Sequence, residues 1–238
     1  MTAILVLTAL ELEARGLARQ LELARRVRLP FPVYERTSAH ATLRVAPVGF
    51  RAVFLPDRSL ALLAGVASPL VVSAGTCGAL APGLRVGDLI LPETVLGPAG
   101  ERLSVTPRVQ RAAVELARVA STEILLTSSD VVATPEAKAE RRRTTGAAAV
   151  DLESAIIVEW ASRHGYPSLV IRAVSDTADQ YLPADLVGLV SRGGRLRKGR
   201  AAALALTRPR TIPDALLLRR GTGQALRSVA RLVAALAG

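Results

Sequence analysis

The sequence predicts an α/β protein whose parallel or mixed central sheet is covered by helices on both faces. Short apolar runs rich in β-branched residues alternate with longer stretches of helical periodicity through the first 186 residues. Of the 238 residues 50% are hydrophobic and 21% charged, a balance that supports a large buried core and excludes a disordered or fibrous chain. Aromatic residues are only 3%, so the core must be aliphatic and stacking groups for a planar ligand few.

The first run, residues 4–8, has no positively charged segment before it and meets Glu11 soon after, which fits a buried strand and not a signal peptide. Residues 11–23 carry apolar groups at helical spacing. A helix at 59–63 and a strand at 70–74 follow, then a strand at 88–91, a helix at 109–119 and a strand at 124–127. A helix at 135–144, a second at 152–163 and a strand at 169–174 complete the alternation. The longest apolar stretch, 60–75, is broken by Ser68 and Pro69 and is too short to span a bilayer, so no transmembrane segment is expected. Beyond Asp185 the pattern changes. Residues 191–194 and 207–210 read as turns, and 224–236 as an amphipathic helix with Leu226, Val229, Val233 and Leu236 on one side. The expected organisation is an α/β domain over 1–186 with a basic, helical C-terminal extension of it over 187–238.

The net charge of +11 is unevenly placed: residues 1–186 hold 20 basic and 19 acidic side chains, whereas 187–238 hold 11 and 1. Of the 31 basic residues only Lys138 and Lys198 are lysine, a bias that genome composition alone can produce. The functional alternative is that Arg192, Arg195, Arg197, Lys198, Arg200, Arg208 and Arg210 form a cationic face for anionic lipid or phosphate. The tail has no interleaved aromatics, so nucleic acid is not an expected partner. A lone Cys77 excludes an intrachain disulfide, and His40 and His164 are too far apart in sequence to suggest a zinc site, so a metal-free protein of a reducing, cytoplasmic compartment is expected.

Three segments carry chemistry. The run Val71 to Leu80 (VVSAGTCGAL) puts small residues directly after a strand, where backbone amides approach an anion or a sugar hydroxyl; an ordinary turn explains the same glycines. In AVDLESA, Asp151 or Glu153 sits in a first helical turn, as a cap or as an acid with a partner inside a pocket. In VIRAVSDTAD an arginine lies inside an apolar strand, where it demands an anion, and Asp176 closes that strand, where α/β enzymes place acids. Glu11 and Glu13 follow the first strand, one able to point into the site while the other stays exposed. Two carboxylates, an arginine and an aspartate at strand ends suit sugar binding, water activation and protonation of a leaving group.

Taken in order, TALELEA, VVSAGTCGAL with VGDLILP, TSSDVVAT, AVDLESA and VIRAVSDTAD resemble the nucleoside phosphorylase and nucleosidase superfamily over about residues 3–182. The resemblance implies a three-layer phosphorylase-type fold and cleavage of a purine N-glycosidic bond, with no cofactor and with phosphate as an open co-substrate. It implies that Glu13 activates water, that Arg172 positions the nucleophile and that Asp176 donates a proton to purine N7. Glu153 takes the ribose hydroxyls and Thr76, beside Gly75, the position near the anomeric carbon; Leu152 and Ser175 complete the binding set. Val132 and Ala133 fall where nucleosidases flank the base with an aromatic residue, and neither is aromatic here. The hexameric bacterial phosphorylases carry an arginine where this chain has Ser73, a departure that weakens the phosphate alternative.

The segment LRKGRAAALALTRPRTIPDALLLRRGTGQALRSVARLVAAL is similar to the end of hopanoid-associated phosphorylases, which act on adenosylhopane. That implies a 5′-substituted adenine nucleoside as substrate, a homo-oligomer, preferably a dimer, and peripheral contact of the tail with the anionic inner membrane face. A methylthioadenosine/S-adenosylhomocysteine nucleosidase, a futalosine hydrolase and a nucleoside-binding or membrane-associated protein that has lost catalysis are the alternatives. Retention of Glu13, Glu153 and Asp176 together argues against the last.

Overall fold

The structure, a computed structural model, describes residues 2–26, 29–38, 41–182 and 212–238. His40, the turns expected at 191–194 and 207–210, and the basic residues Arg192, Arg195, Arg197, Lys198, Arg200, Arg208 and Arg210 lie outside the described residues. In chain order the elements are β1 (Thr2–Thr8), α1 (Glu11–Gln20), β2 (Ala24–Arg25), β3 (Tyr34–Thr37), β4 (Ala41–Pro47), a 3₁₀ turn (Phe50–Ala52) and α2 (Leu55–Leu63). Then come β5 (Leu70–Ala79), β6 (Leu89–Ile90), β7 (Thr94–Leu96), β8 (Arg102–Ser104), α3 (Pro107–Ala117) and β9 (Leu125–Thr127). The remainder is α4 (Pro135–Thr145), β10 (Ala149–Asp151), α5 (Ser154–Arg163), β11 (Ser168–Asp176) and α6 (Ile212–Ala237).

Among the described residues one mixed sheet runs β2-β3-β4-β1-β5-β10-β9-β7-β8, with β11 on the other edge of β5 and β6 beyond it. Alternation along the strands builds two apolar layers. Ile4 and Val6 of β1, Val72 and Ala74 of β5, and Leu169, Ile171 and Ala173 of β11 pack with α1 and α6 on one face. Leu5, Leu7 and Val71 pack with Leu55 and Leu62 of α2 and Ile157 of α5 on the other, where Val170 and Val174 meet Ala155 and Val158. The helices-on-both-faces architecture expected from the sequence is therefore present.

Several boundaries differ from expectation for local reasons. Helix α1 stops at Gln20 because Glu22 takes a left-handed backbone (φ 53), and α3 stops at Ala117 because Arg118 does the same (φ 61). Helix α2 begins at Leu55, with Pro56 in its first turn. Strand β5 continues past Ala74 to Ala79, and the short strands β2, β7, β8 and β10 and the pair β3 and β4 escaped the sequence reading. The last helix starts at Ile212, twelve residues before its expected beginning. Leu226, Val229 and Val233 share a buried side as expected, inside the layer formed with α1 and β11. Among the described residues no helix is long and apolar enough to cross a membrane.

Helix α6 touches β11 backbone to backbone at Gly221, where an added Cβ would lie 2.3 Å from the Ser175 carbonyl oxygen. A helical Gly→Ala change ordinarily stabilises by about 1 kcal/mol, but here the clash with backbone forces the helix off the strand, at a cost of about 1–3 kcal/mol. Gly221→Ala is expected to lower the thermal midpoint and Gly223→Ala, whose nearest neighbour is a flexible Arg227 guanidinium at 3.9 Å, to raise it. Thermal denaturation of the two variants beside the parent chain checks both signs.

Candidate active site

The site grows from a change of neighbours along β5. Strand β1 pairs with β5 up to Ser73, and β10 joins the same edge at Gly78, so residues 74–77 present an edge without a strand. Such divergence points are where open α/β sheets bind ligands. The Thr76 amide exposed there donates to Glu13 Oε1 at 2.9 Å, and the Thr76 hydroxyl donates to the same oxygen at 3.0 Å. Glu13 is the third residue of α1, and its Oε2 accepts from the Leu10 amide at 3.1 Å, half of a capping box. Its carboxylate is thus fixed from both sides while only 2% exposed.

Arg172 of β11 stands in register with Gly75 of β5. Gly75 has φ +150°, and a Cβ there would lie 2.7 Å from Arg172 Nη1 and 2.8 Å from Glu13 Oε1. Only glycine leaves room for both groups. The guanidinium is fully buried and Nη2 pairs with Asp151 Oδ2 at 2.8 Å, with Glu153 Oε2 farther off at 3.8 Å. Its Nε donates to the Ser154 hydroxyl at 3.2 Å and Nη2 to the Ser73 hydroxyl at 3.0 Å. Burial works against its charge, but Asp151, Glu153 and Glu13 outweigh that and hold it above its ordinary pKa.

Asp151 resolves the choice between cap and pocket acid by doing both. Its Oδ2 accepts the Ser154 amide at 3.1 Å, capping α5, and its Oδ1 accepts the Thr127 hydroxyl at 2.7 Å. Glu153, at the N-cap position of α5, makes no cap bond; its Oε1 accepts the Arg51 amide at 3.1 Å. Arg51 and Ala52 sit at φ 52° and 49°, a left-handed backbone that costs non-glycine residues about 1–3 kcal/mol apiece and here aims an amide at a carboxylate. Burial pushes the Glu153 carboxyl up to about 8; Arg172 pulls it down, and Asp151 and Glu13 add to the rise.

Asp176 ends β11 just past a bulge at Ser175, an irregularity that re-aims the strand. Its Oδ1 accepts the Ser175 hydroxyl and its Oδ2 the Lys138 ammonium, each at 2.7 Å. Burial pushes the neighbouring Cys77 thiol well above its ordinary value, with Arg172 opposing, so it stays a neutral wall residue.

Glu13, Thr76, Val132, Leu152, Glu153, Arg172, Ser175 and Asp176 all line one cleft. Gly75 lies between Glu13 and Arg172. Ala133 is not on the cleft wall, and its carbonyl accepts the Leu182 amide at 2.8 Å. Asp151, left open by the sequence between cap and pocket acid, supplies the anion that Arg172 demands. The sequence reading missed two contributors. Phe50 brings an aromatic ring to the wall from a 3₁₀ turn with no motif. Lys138 is fully buried although it stands in the polar run PEAKAERRRTT, which carries no sign of burial.

Residues 58–206 match the sequence model of the phosphorylase superfamily. Among solved structures the chain is similar to a variant of Helicobacter pylori MTAN holding 5′-methylthioadenosine in its active site (15% identity, TM-score 0.74, covering 99% of this chain and 98% of that one). It is similar to the 5′-methylthioadenosine/S-adenosylhomocysteine nucleosidase of Neisseria meningitidis in complex with methylthio-immucillin-A (20% identity, TM-score 0.72, 98% and 97% covered). A third is Helicobacter pylori futalosine hydrolase (16% identity, TM-score 0.71, 98% and 97% covered). At these identities the likeness is one of fold, and its coverage extends through α6, so chain length does not set this protein apart from nucleosidases.

The raised Glu153 carboxyl makes stability depend on pH. Between about 4.5 and about 8 the folded chain holds a proton on Glu153 that the unfolded chain has released, so raising the pH across that window destabilises the fold. Glu153→Gln removes this contribution. The melting temperature of the variant relative to the parent is expected to rise from pH 5 to pH 9, and thermal melts at both values check it.

Proposed function

The chain belongs to the phosphorylase superfamily, and we propose that it hydrolyses the N-glycosidic bond of an adenine nucleoside substituted at the 5′ position. The observation that carries this is the convergence of Glu13, Glu153, Arg172 and Asp176 on one cleft at the divergence point of the sheet. Breaking an N-ribosidic bond builds positive charge on the sugar and negative charge on the departing base. Carboxylates beside the sugar and a proton donor beside the base therefore favour the transition state over the bound substrate.

In this reading Glu153 binds the ribose hydroxyls, and the proton that burial holds on it lets it donate as well as accept. Oε2 of Glu13 accepts one hydrogen bond from protein and keeps a lone pair for a water, while Oε1 is occupied by Thr76. Asp176 meets purine N7, with Val132 and Leu152 on the cleft wall against the base. Water is favoured over phosphate because Arg172 is already engaged by Asp151, Ser73 and Ser154, and the position of the phosphorylase arginine is held by Ser73, whose hydroxyl accepts from Arg172.

Leu10 and Phe50, neighbours of the groups that hold Glu13 and Glu153, make that side of the cleft apolar. This supports an apolar 5′ substituent. A lipid-linked one, as in adenosylhopane, is the finest form of the proposal, and the excess of ten positive charges over residues 187–238 supports it by suiting an anionic membrane surface.

Adenine release from adenosines bearing methylthio, homocysteinyl, carboxyphenyl-ketone and long alkyl 5′ groups, with and without phosphate, tests the proposal. Release is expected without phosphate and fastest with an alkyl group; strict phosphate dependence would exclude hydrolysis. Asp176→Asn is expected to lower turnover by about 10²-fold or more, the scale of general-acid help. Glu13→Gln should abolish hydrolysis and spare any phosphate-dependent activity, since water must be deprotonated and phosphate is already anionic.

A further inference from the structure

The Lys138 ammonium is fully buried, and the reaction outlined above makes no use of it. It reaches from α4 to the end of β11, where its three protons find three acceptors: Asp176 Oδ2 and the Thr177 carbonyl, each at 2.7 Å, and the Gln180 carbonyl at 3.0 Å. Two carbonyls and a carboxylate are the contact set of an ammonium, which donates to all three. In that ion pair Asp176 is a carboxylate and has no proton of its own to give.

We propose that Lys138 stores the proton that reaches the leaving purine and delivers it through the Asp176 carboxyl. This rests on the assignment of Asp176 to N7. As the C1′–N9 bond breaks, its electron pair passes to the purine and N7 takes a proton from Asp176. That proton is the one Lys138 Nζ has passed across the 2.7 Å contact to the carboxylate, so Asp176 ends as a carboxylate again and Lys138 as a neutral amine. Water gives its hydroxide to C1′ and its other proton to Glu13. Once adenine leaves, that proton returns through solvent and restores the ammonium. Ser175 suits the exchange, since its single hydroxyl proton has Asp176 Oδ1 at 2.7 Å and the Cys77 carbonyl at 3.1 Å within reach. Turned to Oδ1 it steadies the carboxylate; turned to Cys77 it withdraws that bond as the carboxyl takes up the proton from Lys138. Burial assists, because excluding water narrows the gap between an ion pair and the neutral pair formed by proton transfer.

Lys138→Arg separates this role from a structural one. Arginine keeps the charge and the donors but does not release its proton. The variant is expected to fold, to keep KM within about threefold and to lose kcat by about 10²-fold, the scale of proton-transfer help. On a 7-methylated adenine nucleoside, whose leaving group is already cationic and needs no proton at N7, Lys138→Arg and the parent chain should be equally fast. Full kcat on the ordinary substrate, or an equal loss on both substrates, would overturn the proposal. Should the arginine variant not fold, Lys138→Ala with added propylammonium, which replaces the deleted atoms, decides: recovery of kcat supports the proton store, and no recovery overturns it. Asp176→Asn on the same two substrates identifies the other failure, because an equal loss on both would remove Asp176 from N7 whatever Lys138 does.

Discussion

A guanidinium buried at the centre of a sheet must have its charge answered by groups already in place, since an unpaired buried ion costs several kcal/mol. How Arg172 is answered organises everything around it. Asp151 takes its charge, and because the same carboxylate caps α5 and accepts from Thr127, the start of that helix is fixed relative to β9 and β11. Glu153 is thereby fixed beside the cleft. Ser73 and Ser154, 3.0 Å apart, accept from Nη2 and Nε and tie β5 to α5, while Nη1 faces the Thr76 carbonyl at 3.5 Å. Gly75 is left without a side chain so that the guanidinium and Glu13 can come together.

The pairing also sets the charge balance available to a reacting sugar. Among the described residues four buried carboxylates, Glu13, Asp151, Glu153 and Asp176, gather around two buried cations, Arg172 and Lys138. Arg172 and Asp151 offset one another, as do Lys138 and Asp176. Of the two remaining glutamates Glu153 holds a proton up to about pH 8, so the surplus is that of Glu13, and it suits a substrate that turns cationic at its anomeric carbon. The same carboxylate opposes a phosphate dianion arriving beside it.

The sequence made legible whatever depended on local pattern. Apolar alternation located β1, the first half of β5 and β11, and acids at strand ends located Glu13, Glu153 and Asp176. Strands β3 and β4 were not legible for a physical reason: Tyr34–Thr37 and Ala41–Pro47 mix Glu35, Arg36 and Arg44 into their pattern, and the Arg44–Glu35 ion pair that makes this tolerable exists only after pairing. Strands of two or three residues, such as β2, β7 and β8, have no pattern of their own and are held by neighbours. Lys138 was hidden because its burial comes from acceptors about forty residues away, whereas the residues around it in α4 are polar. Phe50 was hidden because a 3₁₀ turn, not a motif, carries it to the cleft.

Strand β5 is hydrogen-bonded to β11 along nearly its whole length and to β1 and β10 at its two ends. Its amides paired to those strands are therefore among the last to exchange with solvent, while the Thr76 amide, on the edge that β1 and β10 leave unpaired, relies on Glu13. The strand beneath the cleft is thus held more firmly than its rim. Substrate entry must then be timed by what surrounds it: the turn through Gly49, Arg51 and Ala52, held in a left-handed backbone, and the loop bearing Asp130 and Val131, joined to that turn by one exposed Arg51–Asp130 pair at 3.5 Å. A pair so exposed holds by no more than about 1 kcal/mol. The division is one of stiffness: a floor paired into the sheet, beneath a rim closed by one weak ion pair.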